Sequence, residues 1–252
     1  MNRKILLLVL IILGGCTART PEGPPSPSFD TTDFNFGRIP ENTVVTHIYR
    51  LTNQGGDSLF VSSLRPHCGC TKAPLEDSLA MAGEEIEIEL RFRSKGFRGS
   101  ARKSASVSLD LGKSTKHDML YFDAFVDTAT IPFTNGDLGV NPYVLVLDSE
   151  TEVETLTVEN RIAAEKTVKV VDHQPDRIEL SWTEKELGPR ESAHLVVRRK
   201  IHPRRLVASI TLEIEGKGNS RITVPIANKP PPPKVPKPRR KIHSPEPEPF
   251  SY

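Results

Sequence analysis

Short runs of alternating apolar and polar residues recur along the body of the chain. In residues 85–92, Glu-Ile-Glu-Ile-Glu-Leu-Arg-Phe places apolar side chains on one face and charged side chains on the other. This period of two predicts a half-buried antiparallel strand whose charged face meets solvent. Similar runs, at 45–51 and 120–126 among others, are separated by turn residues. Many short strands with few helical runs predict an all-β chain of the β-sandwich type.

The second half of the body repeats the first. Residues 155–160 resemble residues 48–53, with an offset of 107 between Asn53 and Asn160. Further positions match at the same offset: Glu84 with Glu191, Ile88 with Leu195, and Leu90 with Val197. Because a repeated pattern indicates a repeated structural unit, we predict two tandem sandwich domains, at 31–128 and 129–228.

Residues 1–15 have the features of a secretory signal peptide. A basic start with Arg3 and Lys4 precedes an unbroken apolar run over residues 5–13. At about 1.5 Å per residue, this run spans less than half of a hydrocarbon core of about 30 Å, so it is too short for a membrane anchor. The run ends in Leu13-Gly14-Gly15-Cys16, which resembles the lipobox of bacterial lipoproteins.

The lipobox resemblance implies that Cys16 carries a diacylglycerol group and usually an additional acyl chain such as palmitate. Two or three acyl chains hold a protein stably at a membrane. Residues 16–30 are Pro-rich with almost nothing apolar to bury, so we expect an extended linker. Thr17 follows Cys16 where an inner-membrane retention signal has aspartate. We therefore expect a lipid anchor in the outer membrane and a chain that faces the periplasm.

Charge separates into a mildly acidic body and a basic tail. The chain has 34 Lys and Arg against 32 Asp and Glu, net +2, and loss of Arg3 and Lys4 with the signal peptide leaves it neutral. Residues 229–252 hold six cations, two acids and nine prolines, so the tail carries +4 and residues 16–228 carry −4. This balance gives no indication of nucleic-acid binding. The tail is expected to be disordered and extended, and to act either as a solvated spacer or as a contact to peptidoglycan, lipid headgroups or an acidic envelope protein.

Five blocks occur in a recognisable order in the first half. They are 34–37 (Phe-Asn-Phe-Gly), 49–53 (Tyr-Arg-Leu-Thr-Asn), 65–71 (Arg-Pro-His-Cys-Gly-Cys-Thr), 82–84 (Ala-Gly-Glu) and 92–96 (Phe-Arg-Ser-Lys-Gly). Together they resemble a bacterial lipoprotein family with a Cys-Gly-Cys-Thr signature, the domain of unknown function 1573 family. The resemblance covers residues 30–110 and implies an immunoglobulin-like sandwich, without implying a biochemical activity.

Cys68 and Cys70 are the only cysteines expected to be free after lipidation. In an extended segment, residues i and i+2 point to the same face, so both thiols can reach one site. Three interpretations remain open: two small buried apolar residues, a mutual disulfide favoured by an oxidising compartment, or a soft-metal site that includes His67. At the offset of 107 the cysteines become Pro175 and Arg177, so any thiol chemistry belongs to the first domain.

The sequence contains no complete motif for catalysis or for cofactor binding. Gly56-Asp57-Ser58-Leu59 spells the nucleophile block of an esterase family, but it falls in a predicted hairpin turn and no Asp-x-x-His follows. The seven histidines lack metal-ligand spacing, and no glycine-rich loop precedes a helix. We therefore predict no enzyme activity, no cofactor and no small-molecule substrate.

The sequence favours a non-enzymatic envelope lipoprotein that acts as a protein-binding or scaffolding module. Sandwich domains bind through exposed edge strands and end loops, so we expect a protein or an envelope polymer as partner. One alternative is a thiol-redox or soft-metal protein that works through Cys68 and Cys70. Another is a sandwich-type chaperone that assists the assembly of envelope proteins.

Overall fold

The computed structural model describes residues 22–129, 131–200 and 206–228. Every regular element within these ranges is a β-strand, which confirms the predicted all-β class. The described residues accordingly contain no helix that is long and apolar enough to span a membrane. The predicted signal peptide, Cys16 with the start of its linker, and the basic tail at 229–252 lie outside the described residues.

Two hydrophobic cores divide the strands into a first and a second domain. The first domain contains β1 (Pro27–Phe29), β2 (Asp33–Pro40), β3 (Val44–Asn53), β4 (Leu59–Pro66), β5 (Thr71–Lys72), β6 (Leu79–Ala80), β7 (Glu85–Arg93), β8 (Gly99–Asp110) and β9 (Thr115–Asp127). The second domain contains β10 (Phe133–Thr134), β11 (Leu138–Asn141), β12 (Leu145–Val146), β13 (Val153–Asn160), β14 (Lys166–Asp172), β15 (Ile178–Leu180), β16 (Glu184–Leu187), β17 (Ser192–Arg199), β18 (Ala208–Ile214) and β19 (Ile222–Ala227).

The first domain is a sandwich of two sheets. One sheet has the strand order β1-β3-β7-β5, and the sheet that faces it has the order β2-β9-β8-β4-β6. Side chains from both sheets, including Phe36, Tyr49, Phe92 and Phe122, are buried between them. Burial of an apolar side chain of this size stabilises a fold by about 1.5–3 kcal/mol, so these residues are the main source of cohesion in the domain.

The second domain repeats the strand order of the first. Strands β11-β13-β17-β15 correspond to β1-β3-β7-β5, and β12-β19-β18-β14-β16 correspond to β2-β9-β8-β4-β6. Leu51 pairs with Ile86 across β3 and β7, and the residues 107 positions later, Val158 and Ala193, pair across β13 and β17. The matching register confirms the predicted offset.

A fully buried asparagine performs the same task in each domain. Each side-chain amide donates to three carbonyl oxygens offset by 107: those of Asp57, Ala80 and Met81 for Asn53, and those of Ala164, Leu187 and Gly188 for Asn160. An orphaned buried polar group costs about 1–3 kcal/mol, so these amides hold the edge strand and the crossing connection in place.

One extended sheet runs through both domains. Strand β2 pairs with β9 inside the first domain and meets Ile222 of β19 at Arg38. The Arg38 amide donates to the Arg221 carbonyl oxygen at 2.9 Å. Gly37 has a φ of +65°, and a Cβ at this position would overlap the Arg221 carbonyl. Glycine is therefore needed for the close approach, and the predicted tandem arrangement contained no such junction.

The second domain also covers the outer face of β3. The Ser209 hydroxyl donates to the Thr46 carbonyl oxygen at 2.8 Å, and the Thr46 amide lies 3.1 Å from the Ser209 hydroxyl oxygen. The Gln174 side-chain oxygen accepts the Ser209 amide at 2.8 Å. All three residues are fully buried, so hydrogen bonds satisfy the polar groups of this interface.

The charged face predicted for residues 85–92 is wrong at Glu89, which is only 6% exposed. Its carboxylate accepts hydrogen bonds from Arg177 of the second domain at 2.7 and 3.1 Å, from Arg91 at 2.6 Å and from Thr46 at 2.7 Å. Burial alone would raise the pKa of Glu89, but these hydrogen bonds outweigh it and lower the pKa to about 2. The carboxylate stays charged and fastens the second domain to the first.

The hairpin turn predicted around Gly56-Asp57-Ser58-Leu59 is also wrong. Strands β3 and β4, which flank this segment, belong to different sheets of the sandwich. The segment therefore crosses between sheets, and the buried Asn53 amide anchors it through the Asp57 carbonyl at 2.8 Å.

Candidate functional site

The Cys-Gly-Cys segment connects β4 to β5 at the end of the first domain. Cys68 and Cys70 form a disulfide in the structure, with their Cα atoms 5.2 Å apart. Both residues are half-buried, and Cys70 packs against the first core. Of the three interpretations left open by the sequence, the geometry corresponds to the mutual disulfide. Neither cysteine is a fully buried apolar residue.

His67 does not join the two sulfurs in a ligand set. Its ring is exposed, and Nδ1 lies 3.2 Å from the Ser104 hydroxyl. Among the residues that the structure describes, no group of three or more His, Cys, Asp or Glu side chains could hold a metal ion. Because each sulfur is bonded to the other, neither is available as a thiolate ligand.

Three cationic side chains line a cavity beside Cys70. A half-open cavity of ≈ 340 Å³ is lined by Lys72, Arg91 and Arg93, and Cys70 forms part of its wall. Lys72 lies directly opposite Arg91 across β5 and β7, and Arg93 follows on the same face of β7. Val207 of the second domain completes the wall, so the cavity lies where the two domains meet.

The second domain has a different charge pattern at the matching positions. Lys72 and Arg91 pair across strands in the first domain, whereas their counterparts Glu179 and Arg198 pair in the second. Like charges directly opposite each other destabilise a sheet, and opposite charges stabilise it. The sandwich fold itself therefore does not require a cation at Lys72.

An apolar surface lies at the opposite edge of the first domain. Phe60, Leu79 and Met81 are 43%, 53% and 53% exposed. Phe60 pairs with Leu79 across β4 and β6, and β6 is the outermost strand at this end of the sheet. We call these three residues the apolar edge. Isolated exposed apolar residues are common, but several at the edge of one sheet, two of them paired across strands, indicate an interaction surface.

The second domain builds the same edge without apolar side chains. The counterparts of the apolar edge at the offset of 107 are Thr167, Glu186 and Gly188. Thr167 pairs with Glu186 across β14 and β16, in the register of the pair in the first domain. This contrast is present in the sequence as an offset comparison, and it is the signal that could have located the apolar edge before the structure.

Two sheets per domain, in two domains of matching topology, define a tandem β-sandwich protein. Residues 27–126 match the family described as "Protein of unknown function (DUF1573)". The match confirms, for this part of the chain, the resemblance predicted from the five sequence blocks. The family description assigns no activity.

Several solved structures are similar at low identity. The Vibrio cholerae VesB protease is 13% identical over 39% of this chain and 31% of that chain, with a TM-score of 0.35, so the similarity spans under a third of the protease. A protein of unknown function from Porphyromonas gingivalis W83 is 14% identical over 81% of this chain and 99% of that chain, with a TM-score of 0.35. The Pseudomonas aeruginosa CupB2 chaperone is 8% identical over 76% and 96%, with a TM-score of 0.31. Similarity at this level carries no functional argument, and no curated protein matches the sequence.

Proposed function

We propose that the chain is a non-enzymatic, lipid-anchored envelope protein that binds a protein partner through the apolar edge. The observation that carries the proposal is the contrast between Phe60, Leu79 and Met81 and their polar or small counterparts in the second domain. Since the second domain forms the same strand pair with Thr167 and Glu186, packing of the fold does not account for the apolar side chains.

The partner contributes an extended segment that adds to the sheet beside β6. An edge strand presents unpaired backbone groups to a new strand, and apolar side chains beside it supply affinity and register. The three side chains are about half exposed, and burying them completely is worth about 1 kcal/mol each. Their combined contribution of about 3 kcal/mol corresponds to about a hundredfold in affinity.

The proposed setting is the periplasmic side of the outer membrane. Leu13-Gly14-Gly15-Cys16 supports an anchor through lipidated Cys16, and Thr17 supports the outer membrane. A Cys16→Ser variant is expected to move from the membrane fraction to the soluble periplasmic fraction. Retention of this variant in the membrane would contradict the anchor. The basic tail at 229–252 is proposed to contact peptidoglycan or a second envelope protein.

The apolar edge is tested by exchanging it for the residues of the second domain. The triple variant Phe60→Thr, Leu79→Glu, Met81→Gly is expected to keep its unfolding temperature. Its affinity for an envelope protein that crosslinks to the wild-type chain at position 79 is expected to fall about a hundredfold. The matched control is Thr167→Ala with Glu186→Ala, which changes the same edge of the second domain and leaves binding unchanged. Undiminished binding by a folded triple variant would exclude the apolar edge as the contact.

The chaperone alternative predicts a different kind of partner. A chaperone of this class captures unfolded or incomplete subunits, whereas a binding module engages a folded protein. Limited proteolysis of the partner before and after complex formation separates the two. Protection that requires an unfolded partner would replace the binding module with the chaperone.

Thiol–disulfide exchange is the second candidate function, favoured by the position of Cys70 on the wall of the cationic cavity. A thiolate is stabilised by neighbouring Lys and Arg, so Lys72 and Arg93 would favour the reduced state of Cys70. In this reaction a partner dithiol is oxidised to a disulfide through a mixed disulfide. The Cys68–Cys70 bond is reduced to two thiols in return.

Alkylation of the purified full chain distinguishes the two candidates. If exchange is the function, a reduced periplasmic dithiol protein should reduce the Cys68–Cys70 bond, so that both thiols become alkylated. Replacement of both cysteines by serine should then abolish oxidation of the partner dithiol. If binding through the apolar edge is the function, the double serine variant keeps its partner as long as it folds.

A further inference from the structure

We propose that the cavity beside the Cys68–Cys70 disulfide binds a carboxylate of an acidic, partly apolar peptide segment. The cavity holds ≈ 340 Å³ and is lined by Lys72, Arg91 and Arg93. This volume is at the lower end of ligand pockets and suits one or two side chains of a peptide. Clusters of cations recognise acidic motifs in proteins, and arginine offers paired donors that match a carboxylate.

Two like charges face each other in the wall of the cavity. Lys72 and Arg91 lie directly opposite each other, and like charges at this position destabilise the sheet. In the second domain the same strand pair carries Glu179 opposite Arg198. The fold thus tolerates an acid at the position of Lys72, and the first domain has a cation there. A bound carboxylate would offset the repulsion.

Glu89, the acid two residues before Arg91, already accepts hydrogen bonds from other side chains. The carboxylate of Glu89 accepts hydrogen bonds from Arg177, Arg91 and Thr46. Within the described residues, Lys72 and Arg93 form no ion pair, whereas Arg91 is paired with Glu89 at 2.6 Å. Lys72 and Arg93 therefore give the cavity positive charge that no acid of the described residues pairs with.

The apolar walls favour a peptide over an inorganic anion. Val44, Val207 and the Cys70 sulfur lie beside the three cations. These groups offer nothing to a phosphate ion, but they can contact the hydrocarbon part of an acidic side chain and an apolar neighbour. The expected ligand therefore alternates carboxylate and apolar side chains. This cavity and the apolar edge use different residues, so either proposal can fail without the other.

Fluorescence anisotropy of the purified full chain tests the proposal. The probe is a fluorescein-labelled peptide Leu-Glu-Leu-Glu-Leu, and its neutral counterpart is Leu-Gln-Leu-Gln-Leu. The acidic peptide is expected to bind at least about tenfold more tightly than the neutral one, and added sodium chloride should weaken its binding. Equal binding of the two peptides would overturn the proposal.

Variants that change the charge of the cavity test whether the acidic peptide binds there. Lys72→Glu with Arg93→Glu, and the milder Lys72→Gln with Arg93→Gln, should each weaken binding of the acidic peptide by about tenfold or more. Both residues are exposed, so the variants are expected to fold, as a thermal unfolding curve will check. The matched control, Lys113→Glu with Lys185→Glu, makes the same change of charge on exposed residues outside the cavity.

Two results would overturn the site. The first is an equal loss of affinity in the control variant, which would show that net charge alone attracts the peptide. The second is displacement of the peptide by inorganic phosphate at a lower concentration than by acetate, which would make the cavity a phosphate site. The triple variant of the apolar edge should bind the acidic peptide normally, which keeps the two proposals distinguishable.

Discussion

The two domains share one strand order, but they differ in what covers their outer faces. The outer face of β8 carries Ser100, Arg102 and Ser104 and is partly or fully exposed. The corresponding strand β18 has Ser209 and Thr211 at its outward positions, and both are fully buried. Strand β18 has no charged residue before Glu213, so nothing opposes burial of both its faces. Uncharged outward positions thus mark the face that docks against the first domain.

The connection after β4 in the first domain and its counterpart after β14 in the second domain show another difference. In the first domain it holds the Cys68–Cys70 disulfide beside an open cationic cavity. In the second domain Arg177 stands at the position of Cys70 and forms an ion pair with Glu89. One repeat therefore uses this segment to fasten the domains, while the other leaves it accessible to a ligand.

Arg177→Ala is expected to have the largest effect on stability. It would leave Glu89 buried with Arg91 as its remaining cation, and loss of one partner of a buried pair costs about 3–5 kcal/mol. We expect a loss near the lower end, measured by urea denaturation. Arg65→Ala, an exposed control on β4 that lies opposite Ser106, should change the free energy of unfolding by less than about 0.5 kcal/mol. Equal effects of the two variants would mean that the ion pair does not hold the domains.

Acidification should weaken the ion pair between Glu89 and Arg177. The pKa of Glu89 is lowered from 4.5 to about 2, so its stabilising contribution is complete above pH 4.5 and is lost as the pH falls toward 2. At about pH 2.5 the expected loss is about 2–3 kcal/mol relative to neutral pH. Glu89→Gln removes this titration, so the difference in stability between wild type and variant should shrink over this range. A constant difference would contradict the lowered pKa.

The two buried asparagines, Asn53 and Asn160, should contribute equally to the stability of the fold. Asn53→Ala and Asn160→Ala each remove a donor to three carbonyl oxygens, and we expect a loss of about 2 kcal/mol for each. Gln54→Ala changes an exposed neighbour and should be neutral within about 0.5 kcal/mol. If only one asparagine variant were destabilised in thermal unfolding, the two networks would not be equivalent.

Local alternation was sufficient to predict the all-β class and strands such as β7 and β9, and the offset of 107 was sufficient to predict which positions of the two halves correspond. The shared sheet was not predictable, because the pairing of β2 with β19 rests on one residue pair, Arg38 and Ile222. Glu89 appeared solvent-facing in an alternating strand because its partner Arg177 lies 88 residues away. Pattern alone contains no information about such a distant contact.

The candidate sites were predictable to different degrees. The sequence located Cys68 and Cys70 and allowed a disulfide as one of three interpretations. The cationic cavity was not predicted, because Lys72 and Arg91 come together only when β5 pairs with β7. The apolar edge was missed for the same reason, since Phe60 and Leu79 are neighbours in space but not in sequence.

Photo-crosslinking in intact cells tests the central claim most directly. A p-benzoylphenylalanine residue is placed at Leu79 on the apolar edge, or at its counterpart Glu186 on the same edge of the second domain. We predict a discrete adduct with a folded envelope protein from position 79 and none from position 186. Equal adducts from both positions, or none from position 79, would contradict a protein-binding role for the apolar edge.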